Sequence, residues 1–270
     1  MSDLKARTQA LMKRVRQSGG LPSSQEIVGA AFGRLGLAQD TIAPGEVLAR
    51  FNALLHSVWA ETLLVLEAHE TRSYAEGIPR ELMAEYPDDL CDAEVVAQMH
   101  GFSAGVLRLF GAWYPPLREC FLSVSQSRKS RGGKDFELQI ERLLDLAQVP
   151  YEPQEAENRT DLVLPDVATC QRNRRVSMVV SIKRTLRERW QEVAEELFNL
   201  QSPNVFLFTA DESVTATHAQ RICGDYNIHL VVWDHVKQTK FPDNAGVLSY
   251  TEWATDELPA LRDRWERSGH

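Results

Sequence analysis

Asp161 and Lys183 stand 22 positions apart in a chain of 270 residues, each on a short apolar run. Asp161 opens Asp-Leu-Val-Leu164. Lys183 closes Val176-Ser-Met-Val-Val-Ser-Ile-Lys183, and Arg184-Thr-Leu-Arg-Glu-Arg-Trp190 follows at once. β-Branched apolar runs of this length suit buried strands. A polar loop around 171–175 would return the second strand beside the first. A carboxylate on one strand and an ammonium at the end of the next are parts for metal-assisted cutting of a phosphodiester. Hard divalent ions take oxygen ligands, offset phosphate charge and acidify a bound water. Lys183 would orient that water or stabilise charge building on the phosphate.

Two more acids belong to the pattern. Thr185-x-x-Glu188 matches a capping box and places a helix start at Thr185. With Trp190 at 0° and about 100° per residue, Val193, Ala194 and Leu197 gather into a core face near 350°. Glu196 falls at about 240°, beside that face, and Glu195 at about 140°, toward solvent. Glu196 is therefore the glutamate expected to point at the strand ends, with Glu192 as second choice. Glu137 borders the apolar face of an upstream helix marked by Phe136, Ile140, Leu143, Leu144 and Ala147. Arg187-Glu188-Arg189 has separate chemistry. Arginine forks onto guanine O6 and N7, and glutamate accepts from cytosine N4.

Each residue also has a plainer reading. A strand-end lysine can simply snorkel to water. Glu188 can do no more than close its capping box, and the acids after it can form a solvated face.

The elements that would position these residues follow from periodicity. The first ~110 residues read as helical, with apolar positions at helical spacing over 24–35 and 45–67. From about residue 128 helices and strands alternate. Strands are expected over 161–164, 176–183, 204–209 and 228–233, and helices over 186–200 and 216–226. This order predicts an α/β fold with a central mixed β-sheet flanked by helices, plus an N-terminal helical layer. The expected division is 1–125, a mostly helical region for DNA contact or dimerisation, and 126–270, the catalytic core. Gly132-Gly133 reads as a turn before a helix.

Bulk properties narrow the class. Net charge is −8, which disfavours non-specific coating of nucleic acid. Charge is uneven, though. Residues 128–134 hold four basic side chains and no acid, and 172–189 hold seven against Glu188 alone. Arg128, Lys129 and Arg131 are candidate phosphate contacts. No apolar run reaches the ~20 residues needed to span a bilayer, and the N-terminal residues have no apolar signal core. The scattered Cys91, Cys120, Cys170 and Cys223 read as free thiols in a reducing cytoplasm. The histidines show no HExxH or paired-ligand spacing, and no GxGxxG or Walker pattern occurs.

Taken with the glutamate that follows the Ser127-Arg-Lys-Ser-Arg-Gly-Gly-Lys134 segment, these residues resemble a type II restriction endonuclease of the PD-(D/E)XK superfamily. More narrowly, they are similar to the group including EcoRII and PspGI, which reads sites containing CC and GG. The resemblance covers roughly 128–200. It implies that Glu137 is the helix glutamate, Asp161 the metal aspartate and Lys183 the catalytic lysine. Glu196 would be a second metal carboxylate displaced onto the following helix, with Ser181 in the vacated position. It further implies Mg²⁺, double-stranded DNA as substrate, a homodimer cutting a palindrome to leave 5′-phosphates, and a partner methyltransferase. Some relatives flip central bases onto an aromatic ring. Trp59 could serve, although it falls on the apolar face of a helix and reads as core. Two other readings share these residues: a structure-specific repair or recombination nuclease, and a DNA-binding regulator on a degenerate nuclease fold.

Overall fold

A computed structural model describes residues 3–17, 22–38, 41–153, 161–186, 190–198 and 204–267, without the side chains of 129, 130, 190, 192, 193 and 196. Seven helices come first: α1 (Asp3–Gln17), α2 (Ser24–Arg34), α3 (Pro44–Ala49), α4 (Phe51–Arg72), α5 (Ile78–Glu85), α6 (Pro87–His100) and α7 (Phe102–Leu146). Then come β1 (Glu152–Pro153), β2 (Leu162–Leu164), α8 (Val167–Arg172), β3 (Met178–Lys183), α9 (Trp190–Phe198), β4 (Val205–Thr209) and α10 (Ala216–Gln220). The order closes with β5 (His229–Val232), α11 (Asp234–Lys240), β6 (Val247–Ser249), α12 (Tyr250–Glu252) and α13 (Leu258–Arg267). None of the described helices is long and apolar enough to cross a membrane.

The chain forms two compact units. One is Met1–Ala30 with Thr62–Arg131; the other is Ala31–Glu61 with Gly132–His270. In the first, Leu11, Met12, Val15, Ile78, Leu82, Trp113, Cys120 and Val124 share a buried cluster. Arg14 fastens α1 to α5 through Glu81 at 2.6 Å and Glu85 at 3.0 Å. Gly105 of α7 lets that helix approach α6 closely, since a Cβ there would lie 2.5 Å from that of Ala97.

The second unit holds the sheet, ordered β1-β2-β3-β4-β5-β6. β1, β2 and β3 run antiparallel, and β3 through β6 are parallel. The predicted mixed sheet flanked by helices is therefore what forms. β3 is buried along its length until Lys183, and β4 is buried throughout, as apolar runs covered on both faces should be. Phe51 from α4 packs edge-on against Trp253 at 5.5 Å, and Phe208 of β4 meets the same ring at 4.8 Å. Residues 31–61, helical and early in sequence, thus pack with the sheet.

α7 departs from expectation. Gly132 and Gly133 lie inside this continuous 45-residue helix rather than at a turn, and Pro115 and Pro116 lie inside it as well. Glycine and proline oppose helix locally. Here apolar residues on both sides of them, such as Trp113, Cys120, Phe136 and Ile140, are buried, so packing holds the helix through both breaks.

Candidate active site

The antiparallel register of β2 and β3 pairs Leu162 with Val180, which sets Asp161 beside Ser181. The Asp161 N–H donates to the Val180 carbonyl at 3.0 Å, extending the ladder by one residue. Three donors then converge on the Asp161 Oδ2 atom. The Lys183 Nζ atom donates at 2.8 Å, the Ser181 hydroxyl at 3.2 Å, and the Ile182 backbone N–H as well. Lys183 and Asp161 side chains are 32% and 21% exposed, so the pair sits at the rim of the sheet with access to a ligand. The strands are joined not by an open polar loop over 171–175 but by α8 and a 3-10 turn over Arg174–Val176, and Asp166 caps α8 through the Thr169 N–H at 2.7 Å.

Glu137 on α7 joins from the helix side. Burial pushes its carboxyl above the ordinary value, the charge of Asp161 pushes it further, and Lys134 and Lys183 partly offset both. The Lys134 Nζ atom lies 3.2 Å from Glu137 and 3.7 Å from Glu141. Burial alone would lower the Lys134 ammonium; its hydrogen bond to Glu137 and the charges of Glu141, Glu137 and Asp161 raise it instead. Three carboxylates, Glu137, Glu141 and Asp161, are set against two lysines, Lys134 and Lys183, which leaves the site one positive charge short. Their hard oxygen donors fit a Mg²⁺-type ion. Among the described residues no three acidic, histidine or cysteine side chains gather closely enough to hold a metal by themselves. Glu196 would be the further oxygen ligand. Its backbone lies on α9, and its side chain is outside the described residues.

α9 bears out the helical phase wherever side chains are described. Ala194 and Leu197 are buried and Glu195 is exposed, so the face opposite Glu195 meets the core. The chain leading into α9 is pinned by Asp211, a buried carboxylate after β4 that accepts the Leu186 N–H at 2.9 Å. Arg187, Glu188 and Arg189, with the end of the expected capping box, lie outside the described residues. In the first unit Arg128 stands 3.6 Å from Glu70 and Arg131 is half-buried; the Lys129 side chain is not described. In the second unit Trp59 is half-buried, edge-on to Phe136 at 5.4 Å, with the Arg184 guanidinium 5.8 Å from its ring centre. The core reading of Trp59 therefore accounts for one part of its surface. Two site residues, Asp211 and Lys134, escape a reading of the sequence. Lys134 is signalled only by its three- and seven-residue spacing to Glu137 and Glu141. Asp211 carries no local signal.

An aspartate and a lysine on adjacent strands of a mixed sheet, backed by a helix glutamate, define the α/β restriction-endonuclease-like class. Comparison with known proteins agrees. The family model for the EcoRII C-terminal region matches residues 117–249. The type II restriction enzyme SsoII of Shigella sonnei is 32% identical over 188 residues, covering 65% of this chain and 60% of the length of SsoII. Metal-depleted Ecl18kI in complex with uncleaved DNA matches at a TM-score of 0.82 and 26% identity, over 99% of this chain and 88% of the other. The PspGI–substrate DNA complex shares the fold at a TM-score of 0.60 and 17% identity, covering 90% and 94%. The chain thus resembles the EcoRII C-terminal family over just under half of its length, spans 60% of the length of SsoII, and has the fold of Ecl18kI.

Proposed function

We propose that the chain is a Mg²⁺-dependent site-specific deoxyribonuclease. It would cut both strands of a palindromic DNA site containing CC and GG and leave 5′-phosphates. The observation that carries this reading is the 2.8 Å meeting of Lys183 with Asp161 at the exposed end of β3, with Glu137 in electrostatic reach. SsoII bears the name of a type II restriction enzyme, and the two structural relatives were solved on DNA.

Asp161 and Glu196 would hold a divalent ion, which would supply Lewis acidity and a more acidic water. The chain does the rest. Lys183 leaves Asp161 for the scissile phosphate or the attacking water, and Ser181 and Ile182 keep the freed carboxylate oriented. Glu137 adds negative charge beside Asp161, and Lys134 balances part of it. Arg187, Glu188 and Arg189 read G·C pairs from the major groove. Arg128, Lys129 and Arg131 contact phosphates. Residues 1–125 serve DNA contact or dimerisation, and 126–270 form the catalytic core. The functional state is a cytoplasmic homodimer, each copy cutting one strand, alongside a methyltransferase that protects the same site.

Digestion of a sequenced plasmid with Mg²⁺, followed by end sequencing, tests the reading. Discrete fragments with ends inside CC/GG-containing sites are expected from the parent. Lys183→Ala should bind the same site and leave it uncut. Equal cutting by the variant would remove the assignment of Lys183, and cutting only of branched or nicked DNA would replace sequence specificity with structure specificity.

A further inference from the structure

Arg184, one residue past Lys183, is half-buried in an unusual slot. One wall is the Trp59 ring, whose centre is 5.8 Å from the guanidinium carbon. The other is bare backbone at Gly132 of α7. A Cβ there would stand 1.9 Å from Arg184 Nη1 and 2.8 Å from its Cζ. All three residues belong to the second unit. Glycine weakens a helix interior, so its presence in α7 calls for a reason. The guanidinium supplies it, because any side chain at 132 would displace Arg184.

Several described carboxylates of this unit are engaged with other arginines. Arg34, Arg50 and Arg267 of the same unit face Glu61, Glu46 and Asp263. Among the described residues no carboxylate pairs with Arg184. A partly desolvated cation without a counter-charge is costly to keep. Its planar fork is suited to phosphate oxygens, and the flat ring beneath leaves its edge free to donate. Adjacency to Lys183 puts it one residue from the atoms that would serve the scissile group.

We propose that Trp59 and Gly132 hold Arg184 in place for a DNA backbone phosphate next to the one being cut. The inference rests on the DNA-cutting reading. Arg184 touches the ligand, and Gly132 and Trp59 are positioning residues acting through it.

The test is affinity for a short fluorescent duplex in chelator, across a salt series. Each phosphate neutralised adds about 0.9 to the slope of log affinity against log salt. Arg184→Ala should lose about that much slope. Gly132→Ala should lose it too with Arg184 still present, and the double variant should be no worse than either single one. Alanine suits a helix better than glycine, so Gly132→Ala should stay folded by circular dichroism. Trp59→Leu, removing the opposite wall, should act in the same direction. Parental slope in Arg184→Ala overturns the phosphate contact. Parental slope in Gly132→Ala, with Arg184→Ala reduced, overturns the slot. No duplex binding by the parent chain sinks the DNA reading itself, and this inference with it.

Discussion

Glu137 shows at the scale of one side chain how a site of this kind opposes stability. Its carboxyl is pushed up by burial and by Asp161, and Lys134 and Lys183 repay only part of this. A carboxylate whose folded value is raised favours folding while protonated. That contribution fades as pH climbs from its unfolded value through the raised one. Near neutral pH, without metal, the ionised group is therefore a net burden. Glu137→Gln should melt at a higher temperature than the parent in chelator at neutral pH, and the gap should close in acid. The same variant should cleave more slowly, by roughly 10–100-fold if Glu137 supports the metal from one step out. Calorimetry decides the stability half; a lower melting temperature at neutral pH would mean that the Lys134 contact outweighs the crowding. Ser181 is fully buried with its hydroxyl on Asp161, so the position two before the lysine serves as a support for the aspartate.

Between residue and fold stand the elements, and Asp211 is where one holds another. After β4 its carboxylate takes the Leu186 N–H at 2.9 Å and the Ser213 N–H at 2.9 Å. Leu186 is buried, so without Asp211 its N–H would be left unsatisfied. Asp211→Ala should cost about 1–3 kcal/mol in urea unfolding. It should also slow cleavage, because the chain between Lys183 and α9 loses its anchor. A loss of stability with parental cleavage would show that the anchor matters to folding alone. Strand positions are legible in the sequence wherever apolar runs are long enough. β2 to β5 fall where their runs fall, and the ends of two such runs are enough to pair Asp161 with Lys183. Partners set by distant chain segments are not legible. Asp211 reaches back 25 residues, and β1 (Glu152–Pro153) and β6 (Val247–Ser249) lie on no apolar run longer than two residues. Gly132 misleads for a related reason: it looks like a turn signal locally, and only Arg184, 52 positions later by numbering, explains it.

For the whole molecule the proposed function requires two active sites to face two strands, and the first unit offers a surface for a second copy. Along α7 the residues Leu107, Phe110, Tyr114 and Phe121 recur every three, four and seven positions, a spacing that keeps them on one stripe. Their exposure runs from 73% at Leu107 to 53% at Phe121, and nearby Phe102 and Met99 are exposed at 81% and 70%. Soluble monomers rarely leave so continuous an apolar surface open. Each aromatic ring can cover 150–250 Å², so the set comes to about the ~800 Å² per partner of a standard interface. A second copy of the chain is the occupant that the proposed function requires, since a palindrome is cut by two equivalent sites. Phe110→Glu with Tyr114→Glu should convert a dimer to a monomer in sedimentation equilibrium, at parental helix content. Such a monomer should nick supercoiled plasmid or leave it intact, because each encounter brings one active site to one strand. An unchanged mass for the double variant would place the dimer contact elsewhere on the chain and leave the stripe without a role in assembly.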